Sequence, residues 1–468
     1  MKKPEELIRS DALVLRESFL REMCRIVPEN NAIDDSFYQK YDVKRGLRNS
    51  NGTGVLVGLT KIGSVRGYEV KEGKKVAIPG QLFYRGINVE DIVNGCLKEN
   101  RPGYEETSYL LMFGQLPNAR QLEAYKKILG ARRELPFSFV RDMILTAPSI
   151  NIMNKLARCI LALYSFDDNP DDTSLKNVLS QSIDLVAKLP AIICYGYQAK
   201  VSYNKDASLH FHRPLPELST AENILRMIRP TGEYTPLEAT LLDCCLILHA
   251  EHGGGNNSAF TTHVISSSGT DTYSAISAAV GSLKGPKHGG ANVEVIKLIR
   301  ELTRTVSDIE NREEVDKFII DVFRGEAGDG SGLLYGFGHA VYTLSDPRAV
   351  ILKKIAEKLA QSKGLMREFL LVDYIEKNAS RLFYEAKGHQ KNLMANVDLY
   401  SGFVYSALNI PTDIATPLFA AARISGWCAH RMEELFSNGK IMRPAYQDVC
   451  GDVPYVPLQQ RDGEGLRK

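Results

Sequence analysis

The chain lacks a charge excess: Lys and Arg number 58 and Asp and Glu 56 over 468 residues, a formal net charge of +2. That balance argues against a general nucleic-acid or acidic-membrane binder, because either needs a strong positive field. No C-x-x-C pair occurs among Cys24, Cys96, Cys159, Cys194, Cys244, Cys245, Cys428 and Cys450. They read as reduced core thiols, not as a disulfide framework. H-E-x-x-H is absent, as is G-x-x-x-x-G-K-[ST], and Gly336 and Gly338 form only a fragment of G-x-G-x-x-G with no strand expected before it. No metal, ATP or NAD site is therefore expected. No continuous apolar run reaches membrane-spanning length, and the opening MKKPEELIRSDALVLRESFL has early acidic residues and no apolar block. The expectation is a soluble, cytoplasmic protein, without internal repeats or long low-complexity segments.

What the chain does have is helical periodicity. Leu7, Leu13, Phe19 and Met23 recur at helical spacing between Pro4 and Val27, and Asn49 to Gly54 reads as a linker. Between Val55 and Gly86, the runs VLVGL and QLFYRG, broken by Gly and Pro-Gly, predict a small hairpin or two. Helices are expected from there on. Thr235-Pro236, Asp346-Pro347 and Thr416-Pro417 each place an N-cap residue before a proline at the first helical position. Those starts put His252 at the end of one helix, Arg348 in the first turn of another and Arg423 within a third. The pair Gly289-Gly290 is expected as a hinge, and LQQRDGEGLRK as a mobile tail.

Three glycine-flanked segments each hold an ionisable side chain that a packed core has no use for: GPKHGGAN with His288, YGFGHAVYTLSDPRA with His339 and Arg348, and NVDLYSG with Asp398. Two imidazoles and a carboxylate are the side chains best suited to moving protons near neutral pH. Asp398 serves equally well, on sequence alone, as the N-cap of the following helix. Arg423, inside the apolar run PLFAAARISGW, and Arg443, in IMRPAY, add two guanidiniums. Arg348, Arg423 and Arg443 suit a ligand with more than one carboxylate, the alternative for Arg443 being an ordinary ion pair. His249 and His252 stand at metal-ligand spacing for one helix face, but the glycines after His252 would loosen a metal cage. His263, His389 and His430 are expected to be hydrogen-bonded core residues. The inventory fits proton abstraction next to a carbonyl and contains no evident nucleophile.

Together HAEHGGGNNSAFTTH, GPKHGGANVEV, GFGHAVYTLSDPRA, NVDLYSG and ARISGW followed by MRP resemble the successive motifs of the citrate synthase family, in order and with fitting separations. The likeness runs from about Gly58 to Gly451. It implies an all-α, two-domain helical fold with a minor N-terminal β-hairpin region. Residues 1–289 and 411–468 would form the large domain, and 290–410 a small domain that closes over the substrates. It further implies that His288 hydrogen-bonds the thioester oxygen of acetyl-CoA, that Asp398 removes a methyl proton and that His339 polarises the ketone of oxaloacetate. His252, Arg348, Arg423 and Arg443 would hold the oxaloacetate carboxylates, Arg443 acting across the interface of a homodimer. Gly336, Phe337, Gly338 and Lys353 would meet coenzyme A, which comes and goes as substrate and product with no permanently bound cofactor. One departure concerns that nucleotide: Thr343 stands where the family usually has a basic residue, which leaves Lys353, Lys354 or Arg304 as substitutes. The same residues would serve 2-methylcitrate synthase with propionyl-CoA, and a catalytically silent acyl-CoA or dicarboxylate sensor is the alternative outside enzymes.

Overall fold

The computed structural model describes residues 4–71, 74–205, 207–437 and 439–461. Its internal contacts divide the chain into two units, Met1–Val57 with Arg443–Lys468 and Gly58–Met442.

In the first unit the predicted N-terminal helix runs from Pro4 to Asn31 and carries Pro28 inside it. A short helix, Asp35–Lys40, follows; Asp34 caps it by accepting the Ser36 N–H at 2.8 Å. The expected linker at Asn49 to Gly54 is a tight loop closed by an antiparallel bridge between Arg48 and Gly54. After Arg443 the chain is irregular up to a 3-10 turn at Leu458–Gln460, and the end of the expected tail, 462–468, lies outside the described residues. Cys24 and Cys450 are exposed, so the core-thiol reading holds for the other six, which are buried.

The second unit holds the hairpin, as β1 (Gly63–Lys71), β2 (Lys74–Tyr84) and β3 (Ile87–Asn88), antiparallel in the order β1-β2-β3. VLVGL is not a strand: it lies before β1, and Leu59 is 89% exposed. The sheet's glycines matter for what packs on it. A Cβ on Gly67, at the break in register, would sit 2.5 Å from the Val341 carbonyl oxygen, and one on Gly80 would run into the Ser345 carbonyl. Both positions thus let the backbone of 341–345 press onto the sheet.

Helices form the rest. Thr235 and Glu238 make a capping box for Pro236–His249, and Asp346 caps Pro347–Lys363, each with the proline where expected. Thr416-Pro417 does not start a helix. The helix runs Thr412–Phe436 with Pro417 inside, and the Thr416 hydroxyl bonds the Gly289 carbonyl at 3.1 Å instead of capping. This helix is buried along most of its length, includes Trp427 at 0% exposure, and packs on the long helix Leu175–Lys205. By length and composition the stretch Leu175–Asn204 is apolar enough to cross a membrane, although polar residues interrupt it and it holds no continuous apolar run of that length. However, 72% of its most apolar window is buried inside the protein, as in a central core helix. A second, smaller hydrophobic cluster gathers Leu298, Leu302, Phe318, Ile319, Leu371 and Leu382.

Candidate active site

His252 sits on a turn held from both sides. The Pro236–His249 helix ends just before it, and the Tyr84 hydroxyl caps that end, lying 2.9 Å from the Ile247 carbonyl and 3.2 Å from that of Glu251. Gly253, at φ +80°, donates its N–H to Glu251 Oε1 at 2.5 Å. The His252 ring is buried, edge-on to His339 with centroids 5.0 Å apart, and its Nε2 has no hydrogen-bond partner. Burial first, then the Arg348 charge, hold its pKa well below the usual value, so the ring is neutral. Because the helix stops at His249, that residue does not share a helix face with His252. It stacks on Phe419 at 4.1 Å.

His339 and Asp398 are joined by their backbones. Phe337 bridges Ala395, Gly338 N–H donates to the Met394 carbonyl at 2.8 Å, and Asn396 N–H donates to the Gly336 carbonyl at 2.9 Å. A Cβ on Gly336 (φ +86°) would meet Leu399 at 3.0 Å, so only glycine allows this strap to lie so close. His339 Nδ1 accepts the N–H groups of Val341 and Tyr342, both at 3.0 Å, which leaves the ring proton on Nε2. Asn396, not Asp398, is the N-cap, accepting the Asp398 N–H at 2.9 Å. The Asp398 carboxyl is therefore released from capping. Burial pushes its pKa up to about 6, with Arg348 and Arg423 pulling down and Asp346 adding to the rise.

Arg348 and Arg423 are both buried. Asp346 takes the Nε and Nη2 edge of Arg348 at 3.0 and 2.7 Å, and more than offsets the burial that works against the guanidinium's charge. Arg423 donates Nε–H to the His249 carbonyl at 2.6 Å and lies over Phe419, while its Nη1 has no partner. Burial lowers its pKa to about 10, still charged at neutral pH. A buried guanidinium with an empty side calls for an anion. Its charge also reaches His288, whose pKa is pushed down to about 4, mainly by burial.

His288 follows the Thr272–Lys284 helix, and Gly289 behind it has no room for a Cβ against the Leu283 carbonyl. Its Nε2 lies 3.1 Å from Ser258 Oγ, which also accepts the Trp427 indole N–H at 3.1 Å. A cleft of about 450 Å³ opens beside it, lined by Asn257, Ser282, Gly285, Pro286, Lys287 and His288. Lys353 is otherwise occupied: Asp373 and Glu376 hold its ammonium at 2.5 and 2.6 Å, so it is no ready phosphate ligand. Lys287, exposed at the cleft, is the better placed cation. Gly336, Phe337 and Gly338 serve the strap that positions His339.

The second unit thus brings His252, His288, His339, Arg348, Asp398 and Arg423 together through ring contacts and shared electrostatic fields. Arg443 belongs to the first unit and is exposed. His263 and His430 are buried and hydrogen-bonded as expected, whereas His389 is exposed. Sequence reasoning missed Tyr84, Glu251, Ser258 and Asp346. Of these only Asp346 left a signal, as the cap before Pro347.

A profile described as the citrate synthase C-terminal domain matches residues 49–445. The chain is 34% identical to a citrate synthase of Synechocystis sp. over 386 residues, 82% of this chain and 88% of that one. It is 32% identical to a 2-methylcitrate synthase of Shewanella oneidensis over 390 residues, 81% and 92%. Among solved structures it is similar to a citrate synthase of Thermoplasma acidophilum in ternary complex with carboxymethyl coenzyme A and oxaloacetate. There the TM-score is 0.73 at 26% identity, covering 90% of this chain and 99% of that one. The fold is that of an enzyme of the transferase or synthase kind. The chain belongs to the citrate synthase family.

Proposed function

We propose that this chain is a citrate synthase, condensing acetyl-CoA with oxaloacetate and water to give citrate and CoA. The observation that carries it is the convergence of a raised carboxyl, Asp398, and a neutral imidazole, His288, on the charge of buried Arg423, whose Nη1 has no partner, with His339 edge-on to His252 beside them. Asp398, ionised above about pH 6, takes a methyl proton from acetyl-CoA. A carboxylate is a weak base for a carbon acid, so the enolate needs a fixed donor where its charge develops. His288, with Nε2 held 3.1 Å from Ser258 Oγ, donates a ring N–H to the thioester oxygen, a contact worth about 3 kcal/mol in the barrier. The enolate carbon then attacks the oxaloacetate ketone, polarised by His339 Nε2–H. Water finally cleaves the citryl thioester and releases CoA.

Arg348, Arg423 and His252 hold the carboxylates of oxaloacetate, and Arg443 reaches them from a second copy of the chain in a homodimer. Tyr446, Val453 and Tyr455 follow Arg443 in the same irregular stretch and are exposed with it, which leaves that stretch available to a second copy. Closure of a small domain at 290–410 draws support from the separate hydrophobic cluster that part of it forms between Leu298 and Leu382. The second reading, 2-methylcitrate synthase, is favoured by the Shewanella relative at comparable identity. One extra methylene shifts binding by only about 1–3 kcal/mol, so pocket shape decides. CoA thiol release with acetyl-CoA and with propionyl-CoA, each with and without oxaloacetate, separates the two. Release that does not depend on oxaloacetate would refute both.

A further inference from the structure

Behind the His252 turn, two buried histidines face each other between the Asn257–Ser266 and Thr412–Phe436 helices. His263 Nε2 lies 2.9 Å from His430 Nδ1. Each ring is held on its far side by a carboxylate: His263 Nδ1 is 2.8 Å from Glu434 Oε2, and His430 Nε2 is 3.0 Å from Glu251 Oε1. A carboxylate accepts an N–H, so both outer nitrogens carry protons and both inner ones present lone pairs. Two lone pairs at that separation repel unless a positive centre lies between them.

A third donor points to the same place. Glu433 Oε2 is buried without a hydrogen bond, 3.9 Å from His430 Nδ1, while its Oε1 accepts the Lys61 N–H at 2.7 Å. The three ligand atoms lie within 4.8 Å of one another. Among the described residues no lysine or arginine forms a salt bridge with Glu251, Glu433 or Glu434; the Arg423 and Arg85 charges reach Glu251, and that of Arg85 reaches Glu433, without bonding to them. A proton shared between the rings would remove the repulsion but leave Glu433 Oε2 unsatisfied. A divalent cation satisfies all three donors.

We propose that His263, His430 and Glu433 bind one divalent transition-metal ion of the zinc class. Two imidazoles and a carboxylate, with further carboxylates holding the far ring nitrogens, form a donor set and outer shell suited to that ion. Tetrahedral bonds of about 2.0–2.1 Å place two nitrogens about 3.3 Å apart, so the rings need part only slightly. Gly254 borders the site: a Cβ there would sit 3.8 Å from His263 Nε2, and Gly254 is part-exposed with Gly255 exposed, which gives the fourth ligand position an opening. The ion would tie two helices together and, through His430, Glu251 and the Gly253 N–H, stiffen the turn that carries His252.

The site does not depend on the reaction proposed above, and its test uses no substrate. Full-length protein stripped with a chelator is titrated with Zn²⁺ by calorimetry and with Co²⁺ by visible absorption. The expected result is one equivalent per chain, with Co²⁺ ligand-field bands of a low-coordinate site. Glu433→Gln, nearly isosteric, and His263→Ala should each weaken binding at least about tenfold. Circular dichroism of Glu433→Gln controls for folding. No Co²⁺ bands in the parent protein would mean a shared proton only and overturn the proposal. Undiminished binding in both variants would place the ion elsewhere and overturn it equally.

Discussion

Asp346 grips Arg348 by the guanidinium edge and with the same Oδ2 accepts the backbone N–H of Val397 at 3.3 Å, one residue before Asp398. The arginine proposed to bind a carboxylate and the carboxyl proposed as the base are thus fixed to a single side chain. Asp346→Asn keeps the size but weakens the charge-assisted grip. Oxaloacetate affinity, measured by calorimetry, should fall about tenfold, equivalent to about 1.4 kcal/mol. Unchanged affinity would mean that Arg348 needs no such support.

The acid limb of kcat/KM should report Asp398. Its folded pKa, about 6, lies above the unfolded value of about 3.9, so the folded chain binds the extra proton between those values. Ionisation on raising the pH through about 6 therefore costs stability while it creates the base. Activity should fall about tenfold per pH unit below that point. His288, pushed down to about 4, adds no limb near neutrality. Since the Asp346 charge helps raise the Asp398 pKa, Asp346→Asn should move the limb to lower pH. A limb that stays put would separate it from Asp398.

Asp398→Asn and His288→Ala should each lower turnover at least about a hundredfold and leave oxaloacetate binding nearly intact, because both act on the acyl-CoA half of the reaction. Arg423→Leu should do the reverse, removing oxaloacetate binding first. Tight oxaloacetate binding retained in Arg423→Leu would end its assignment to a carboxylate.

Two sheet glycines should matter for stability. Gly67→Ala and Gly80→Ala each drive a methyl group against backbone carbonyls of Val341 and Ser345, in the segment between His339 and Arg348. Backbone cannot swing aside as a long side chain does, so each should cost about 1–3 kcal/mol in denaturant unfolding. Unperturbed stability in both would show that the sheet does not buttress this segment.

Much of the candidate site was legible, in that the residues the structure gathers sit in short glycine-flanked motifs, where local sequence fixes local geometry. Thr235-Pro236 and Asp346-Pro347 marked helix starts correctly for the same reason. Thr416-Pro417 carried the same signal and misled, because the Thr416 hydroxyl was taken by the distant Gly289 carbonyl and the helix began earlier. Lys353 misled likewise: its partners Asp373 and Glu376 come from another helix, which no local pattern reveals. Asp398 was ambiguous until the structure placed the capping oxygen on Asn396. Tyr84, Glu251 and Ser258 act through contacts more than a hundred positions away or through backbone carbonyls, and such contacts leave no period in the sequence.

The assembly proposal can be tested with mixed subunits. Arg443 lies in the first unit, exposed, and the residues of Gly58–Met442 that assemble the site do not include it. If Arg443 completes the site of the partner copy, a monomer lacks one carboxylate ligand and should be nearly inactive. Arg443→Ala and His288→Ala homodimers should then both be impaired at every site. A heterodimer of the two has one site with His288 from one chain and Arg443 from the other, both intact, and one site lacking both. Activity should therefore recover toward half of the parent value per dimer on mixing under conditions that exchange subunits. Exchange is followed independently by native mass spectrometry. Mixed dimers that form without gaining activity would show that Arg443 serves its own chain.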